Sequence, residues 1–151
     1  GIIWKQGYLS GELISPLFSD VCEQLDRWKR KEITLAVYSS GSIQAQKLLY
    51  GHTSEGDITD RFDHWFDTRT GPKLAHQSYT IIAQKLGVQS NQVLFISDHP
   101  GECDAAWQSG MNTVFCLREG NPHQDPGEHA VVQRLCDIDL EKINAAHNNQ
   151  R

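Results

Sequence analysis

The sequence has no closely spaced cysteine pair, no long apolar run and no surplus of positive charge. Its four cysteines, Cys22, Cys103, Cys116 and Cys136, lie far apart without a C-x-x-C pair. That spacing argues against a zinc site and a disulfide framework and favours reduced, mostly buried thiols. No apolar stretch approaches the roughly 20 residues of a spanning helix, and no signal-peptide pattern opens the sequence, so a cytosolic protein without a membrane partner is expected. Lys and Arg number 14 against 19 Asp and Glu, a net charge of -5. No basic footprint for nucleic acid remains.

Further absences narrow the chemistry. His52, His64, His76, His99, His123, His129 and His147 show no H-x-x-x-H spacing, so most read as surface or capping groups. No G-x-G-x-x-G follows an apolar strand, which removes a dinucleotide fold. A serine hydrolase built on Ser40 fares no better, because Tyr38 and Ser42 stand where G-x-S-x-G needs glycines. There is no internal repeat and no low-complexity linker, and 151 residues make one domain.

What is present alternates between two periodicities. "FSDVCEQLDRWKR" places Phe18, Val21, Cys22, Leu25 and Trp28 at helical spacing, "ITLAVYSS" reads as a strand, "SIQAQKLLYG" as a helix closed by Gly51, and "HWFDT" as a short strand. "KLAHQSYTIIAQKLG" is the clearest helix, with Leu74, Tyr79, Ile82, Ala83 and Leu86 on one face and Gly87 at its end. "QVLFISD", "GECDAAWQSG" and "NTVFCL" continue as strand, helix and strand. The alternation predicts a parallel sheet covered by helices. Beyond it, "REGNPHQDPGEH" reads as a surface loop and "AVVQRLCDIDLEKI" as strand or helix. Trp4, Trp28, Trp65 and Trp107 read as core or half-core packing.

In open parallel sheets, ligands gather outside the carboxyl ends of the strands. Ser39, Ser40, Gly41 and Ser42 stand at one such end, where hydroxyls and amides freed by the turn can face an anion; a plain helix cap is the alternative. Asp98 ends "VLFISD", placed either to hold a hard cation such as Mg2+ or to cap the helix behind it, and His99, Glu102 and Asp104 lie close by. Lys73, in "DTRTGPK", is presented by the turn at Gly71 and Pro72. Hydroxyls, an ammonium and a carboxylate from separate strand exits make a phosphate site, because phosphoryl transfer needs positioning and charge neutralisation.

These segments resemble the haloacid-dehalogenase superfamily of phosphatases and, within it, the enolase-phosphatase family of methionine salvage. The resemblance is carried by "WKQGYLSGEL", "YSSGSIQAQKLLYGHTSEGDITDRFDHWFDTRTGPK", "SYTIIAQKLGV" and "VLFISDHPGECDAAWQSGM". It implies an α/β three-layer sandwich with a parallel sheet. Ser39, Ser40 and Gly41 are then the second motif, contacting phosphate and substrate oxygens; Lys73 is the third, neutralising the phosphate and orienting the nucleophile; Asp98 is the metal-binding aspartate of the fourth. Mg2+ is the implied cofactor, a small phosphorylated diketone bearing a methylthio group the implied substrate, and a monomer the implied state of the full-length chain.

The same resemblance predicts a nucleophilic aspartate in a D-x-E-G-T segment behind a first, central strand. Neither "DID" (Asp137 to Asp139) nor "DITD" (Asp57 to Asp60) follows a buried strand with a Gly-Thr turn behind it. The sequence is therefore expected to be the C-terminal part of a longer enzyme and inactive by itself, with residues 1–15 a remnant of a helical cap whose Tyr8 would face the substrate's thioether end were the cap whole, 16–143 the core, and 144–151 a disordered tail. Losing the central strand would leave two inner sheet edges unpaired unless the half-sheets close on each other. A non-catalytic phosphate-binding or regulatory module is the alternative.

Overall fold

A computed structural model describes residues 2–5, 19–53, 55–117 and 125–140. Six strands form one sheet in the order β3-β2-β1-β4-β5-β6. They are β1 (Ile2–Lys5), β2 (Thr34–Tyr38), β3 (His64–Phe66), β4 (Val93–Ser97), β5 (Asn112–Cys116) and β6 (Ala130–Val132). Four helices join or flank them: α1 (Ser19–Arg30), α2 (Ile43–Gly51), α3 (His76–Leu86) and α4 (Pro100–Gln108).

β2, β4 and β5 are short apolar runs whose residues are almost entirely buried, the signature of parallel strands covered on their faces. β2 pairs with β3, β4 with β5, and β5 with β6, all in parallel. The buried polar residues that open β5 find partners: Asn112 Nδ2 donates to the Asn91 carbonyl at 3.0 Å, and Thr113 Oγ1 lies 2.7 Å from His129 Nδ1.

The centre of the sheet departs from expectation. Neither two bare inner edges nor direct closure of the half-sheets is found. Ile2–Lys5 fills the slot between β2 and β4 as an antiparallel strand, Ile2 opposite Val37 and Ile96, Lys5 opposite Thr34 and Val93. Every buried strand needs ladder partners for its N-H and C=O groups, and these four residues supply them. β1 thus runs against both of its neighbours. The remainder of the expected cap remnant, and the tail from residue 141 onward, lie outside the described residues.

Of the expected apolar stripe of α1, Val21, Cys22, Leu25 and Trp28 are buried in the core, and Phe18 lies outside the described residues. From α1 itself, Lys29 pairs with Asp63 at 2.9 Å and Asp26 with Arg61 at 3.0 Å, tying the helix to the segment before β3. α3 ends as predicted on Gly87, whose φ of 72° lets its amide donate to the Ala83 and Gln84 carbonyls. Leu74 differs: it precedes α3 and is 65% exposed instead of lining its buried face. An edge-to-face chain of Tyr38, Tyr79 and Phe95, with centroids 5.5 and 5.0 Å apart, forms the packing beneath the carboxyl ends of the strands.

Candidate functional site

The β2 exit is built to hold a turn. Ser39 is half-buried, while Ser40 and Gly41 are exposed. The Ser39 amide extends the ladder to the Phe66 carbonyl at 3.2 Å. Gln46, buried on α2, uses one amide group twice, donating to the Gly41 carbonyl at 2.8 Å and the Phe66 carbonyl at 2.9 Å. The turn is thereby fastened to the end of β3.

Fewer amides are free than the sequence led us to expect. Ser42 Oγ takes the Ala45 amide at 3.1 Å, and Ser39 Oγ takes the Gly41 amide at 3.4 Å. The Asp67 carboxylate accepts the Ile43 amide, so a side chain already stands at the positive end of α2. Asp67 also takes Arg69, by backbone amide at 3.0 Å and by guanidinium at 3.0 Å. Those Arg69 contacts, helped by Ile43, hold its carboxyl below the usual aspartate range.

Lys73 is fixed by its backbone. Three consecutive carbonyls each receive a hydroxyl: Gly71 from Tyr38 at 2.5 Å, Pro72 from Ser78 at 2.6 Å, and Lys73 from Tyr79 at 2.6 Å. Gly71 adopts φ 153° and sits so close to Ser78 that a Cβ there would overlap its side chain. Burial raises the Tyr38 phenol above its ordinary range, keeping it a neutral donor. The Lys73 side chain, 9% exposed, ends 2.8 Å from Glu102 Oε1 in a nearly dry ion pair.

At the β4 exit the structure distinguishes the two readings of Asp98. His99 is the N-cap of α4, its Nδ1 accepting the Glu102 amide at 3.3 Å, and the His99 amide donates to Ser97 Oγ at 3.1 Å. Asp98 is therefore not the cap. It is half-buried one residue ahead of the helix.

These bonds draw the three exits together. Tyr38, one residue before Ser39, touches Gly71, two before Lys73; Lys73 reaches Glu102, four beyond Asp98. The Tyr38 phenol also feels the charges of Lys73, Glu102 and Asp67. The arrangement can present an ammonium and short hydroxyls to an oxyanion. Toward a cation it offers a hard oxygen donor in Asp98, the chemistry Mg2+ takes. Among the described residues no group of three or more His, Cys, Asp or Glu could hold a metal. One carboxylate with waters and phosphate oxygens is a sparse but acceptable set for Mg2+.

Three residues here escaped the sequence reading. Gln46 looked like any polar residue on a helix, and only its burial reveals it. Asp67 stands in "HWFDT", two residues before the arginine it grips. Glu102 lies near Asp98 in sequence, but its pairing with Lys73 spans 29 residues and carries no local signal. His129 is a further surprise: with 7% of its side chain exposed, it bridges Thr113 and, at 2.6 Å, Asp104. A separate groove of about 490 Å³, lined by Lys47, His52, Asp57, Asp60 and Trp65 among others, involves none of the predicted site residues.

Residues 5–110 match the haloacid dehalogenase-like hydrolase family. Over 140 residues the chain is 60% identical to enolase-phosphatase E1 of Synechococcus sp. (strain WH7803), covering 93% of this chain and 58% of that protein. It is 48% identical to enolase-phosphatase E1 of Sorangium cellulosum (strain So ce56), covering 91% and 60%. Among solved structures, UTR4 protein from Saccharomyces cerevisiae aligns with a TM-score of 0.69 at 31% identity, over 85% of this chain and 56% of that one. The β-phosphoglucomutase of Clostridium difficile aligns with a TM-score of 0.67 at 18% identity, over 90% and 58%, a likeness of fold. The chain thus spans less than two thirds of the length of the relatives it matches.

Proposed function

The chain belongs to the haloacid dehalogenase-like hydrolases, and we propose that it carries the phosphate- and cation-holding side of a phosphomonoesterase of the enolase-phosphatase type. The observation that carries this reading is the junction of three strand exits through Tyr38–Gly71 and Lys73–Glu102. The 60% identity to an enolase-phosphatase supports the substrate class.

In this reading Ser39, Ser40 and Gly41 receive phosphate oxygens through hydroxyl and amide groups. Lys73 neutralises phosphate charge, with Glu102 and the three hydroxyl-bound carbonyls holding its ammonium in one place. Asp98 would hold Mg2+, whose chemistry is to neutralise charge on phosphate and on a developing enolate. Preorganised charge of this kind is worth most where water is excluded, as it is around the Lys73–Glu102 pair. The substrate proposed is a small phosphorylated diketone with a methylthio group, the product its acireductone with phosphate, and the compartment the cytoplasm, where such soluble metabolites lie.

The 151 residues contain no D-x-E-G-T segment. That observation favours a second reading, a phosphate-binding module without turnover. Calorimetry with inorganic phosphate and Mg2+, run beside a phosphate-release assay on a phosphomonoester, tests both. Binding weakened at least about tenfold by Lys73→Ala and by Asp98→Asn is expected, with release by these residues alone at background. Binding indifferent to both substitutions would remove the site. Steady Mg2+-dependent release would overturn the module reading.

A further inference from the structure

Helix α2 inverts the usual partition of its side chains. Of its nine residues only Gln46 and Tyr50 are buried, while Leu48 and Leu49 are 59% and 46% exposed. A glutamine is seldom placed inside a protein unless hydrogen bonds satisfy it there. Gln46 is satisfied on one side: Nε2 donates to the Gly41 and Phe66 carbonyls, whereas Oε1 accepts nothing from the described residues. A buried acceptor without a donor is a cost to the fold, so stability does not explain this side chain. Nor do its two acceptors depend on it. The Phe66 carbonyl also takes the Ser39 amide at 3.2 Å, and Gly41 is exposed, so its carbonyl can turn to water. What Gln46 supplies is a joint, one nitrogen holding the turn at Gly41 to the last residue of β3.

We propose that Gln46 is a positioning residue for the phosphate turn, kept to set where Ser40 and Gly41 stand against the end of β3 and contributing little to stability. An oxyanion is held well by donors already in place, because ordering a loose turn at the moment of binding weakens the complex. Both ends of the joint are firm. Gln46 is anchored in α2, where its own amide donates to the Ser42 carbonyl at 2.9 Å, and Phe66 lies in the sheet. The neighbouring contacts act elsewhere: Ser42 and Asp67 take the Ala45 and Ile43 amides, which fixes the start of the helix and leaves the Gly41 carbonyl to Gln46. The inference rests on the phosphate reading and adds to it a residue that touches no phosphate.

Gln46→Met keeps the side-chain volume and removes both donations. Its urea midpoint should match or exceed that of the wild type, while its affinity for inorganic phosphate with Mg2+ falls at least about tenfold by calorimetry. Nitrogen-15 relaxation should show the Ser40 and Gly41 amides gaining motion and those of β2 unchanged. Gln46→Glu gives a readout that a packing role would not move. Ionised, the glutamate offers the two carbonyls no donor; protonated, it offers one. Its affinity relative to the wild type should therefore recover as pH falls from about 8 to about 5.5, since burial favours the protonated form, while the Gln46→Met ratio stays constant. Asp67 and Arg69, the charged pair beside the start of α2, are common to all three proteins and cancel in the ratio. Equal affinity in Gln46→Met and the wild type, a Gln46→Met protein that is markedly destabilised or unfolded, or a Gln46→Glu ratio indifferent to pH would overturn the proposal; should Gln46→Glu not fold, Gln46→Met decides alone. A wild type that binds no phosphate defeats the phosphate reading itself, and the relaxation comparison then judges the joint separately.

Discussion

Lys73 Nζ lies 2.8 Å from Glu102 Oε1, and each side chain is under a tenth exposed. Removing one partner strands the other charge in a nearly dry environment, which costs about 3–5 kcal/mol. Glu102→Ala and Lys73→Ala are each expected to lower stability by that order in urea unfolding. Lys73→Met combined with Glu102→Leu should cost clearly less than the sum, because no charge is left buried. Additive losses would show the pair to be solvated.

Gly71 presents a second test. Its φ of 153° and its approach to Ser78 leave no room for a Cβ. Gly71→Ala should cost about 1–3 kcal/mol through strain and should loosen the Lys73 loop, lowering phosphate affinity as well. Thermal unfolding with phosphate titration checks both effects, and a neutral substitution would contradict the geometry.

Asp67 sets an acid limit. Its carboxyl is held below the ordinary aspartate value of 3.8, chiefly by Arg69. A carboxyl whose folded value is lowered adds stability that is complete above the unfolded value and lost as pH falls through the folded one. Stability of the wild type should therefore fall below about pH 4 more steeply than that of Asp67→Asn, compared by unfolding between pH 6 and pH 2. Parallel curves would remove Asp67 from the account.

The cysteines give a chemical readout. Cys103 is fully buried and its thiol is pushed far above the usual range by desolvation, whereas Cys136 is exposed. Alkylation followed by mass spectrometry should modify Cys136 first and Cys103 only on unfolding. Early labelling of Cys103 would contradict the packing of α4 on β4 and β5.

Most of the sheet and helix order was legible in the sequence because it is written in local periodicity. The apolar runs of β2, β4 and β5, the stripe of α1 and the glycine that ends α3 each lie within one short window. β1 was not legible: four residues followed by polar ones carry little pattern, and their place depends on two walls far along the chain. Leu74 continues the spacing of α3 but falls before the turn that starts it. The strand exits were found from hydroxyl, lysine and aspartate residues in sequence. Their bracing by Gln46, Asp67, Tyr38 and Glu102 was not, since each bond joins segments remote from one another or becomes visible only through burial.

In the proposed site the β2, β3 and β4 exits surround one oxyanion. Amide chemical-shift mapping with inorganic phosphate and Mg2+ tests it most directly. The prediction is saturable shifts at Ser39, Ser40, Gly41, Lys73 and Asp98 with one shared affinity, lost together in Lys73→Ala. Shifts confined to one exit, or different affinities at each, would contradict it.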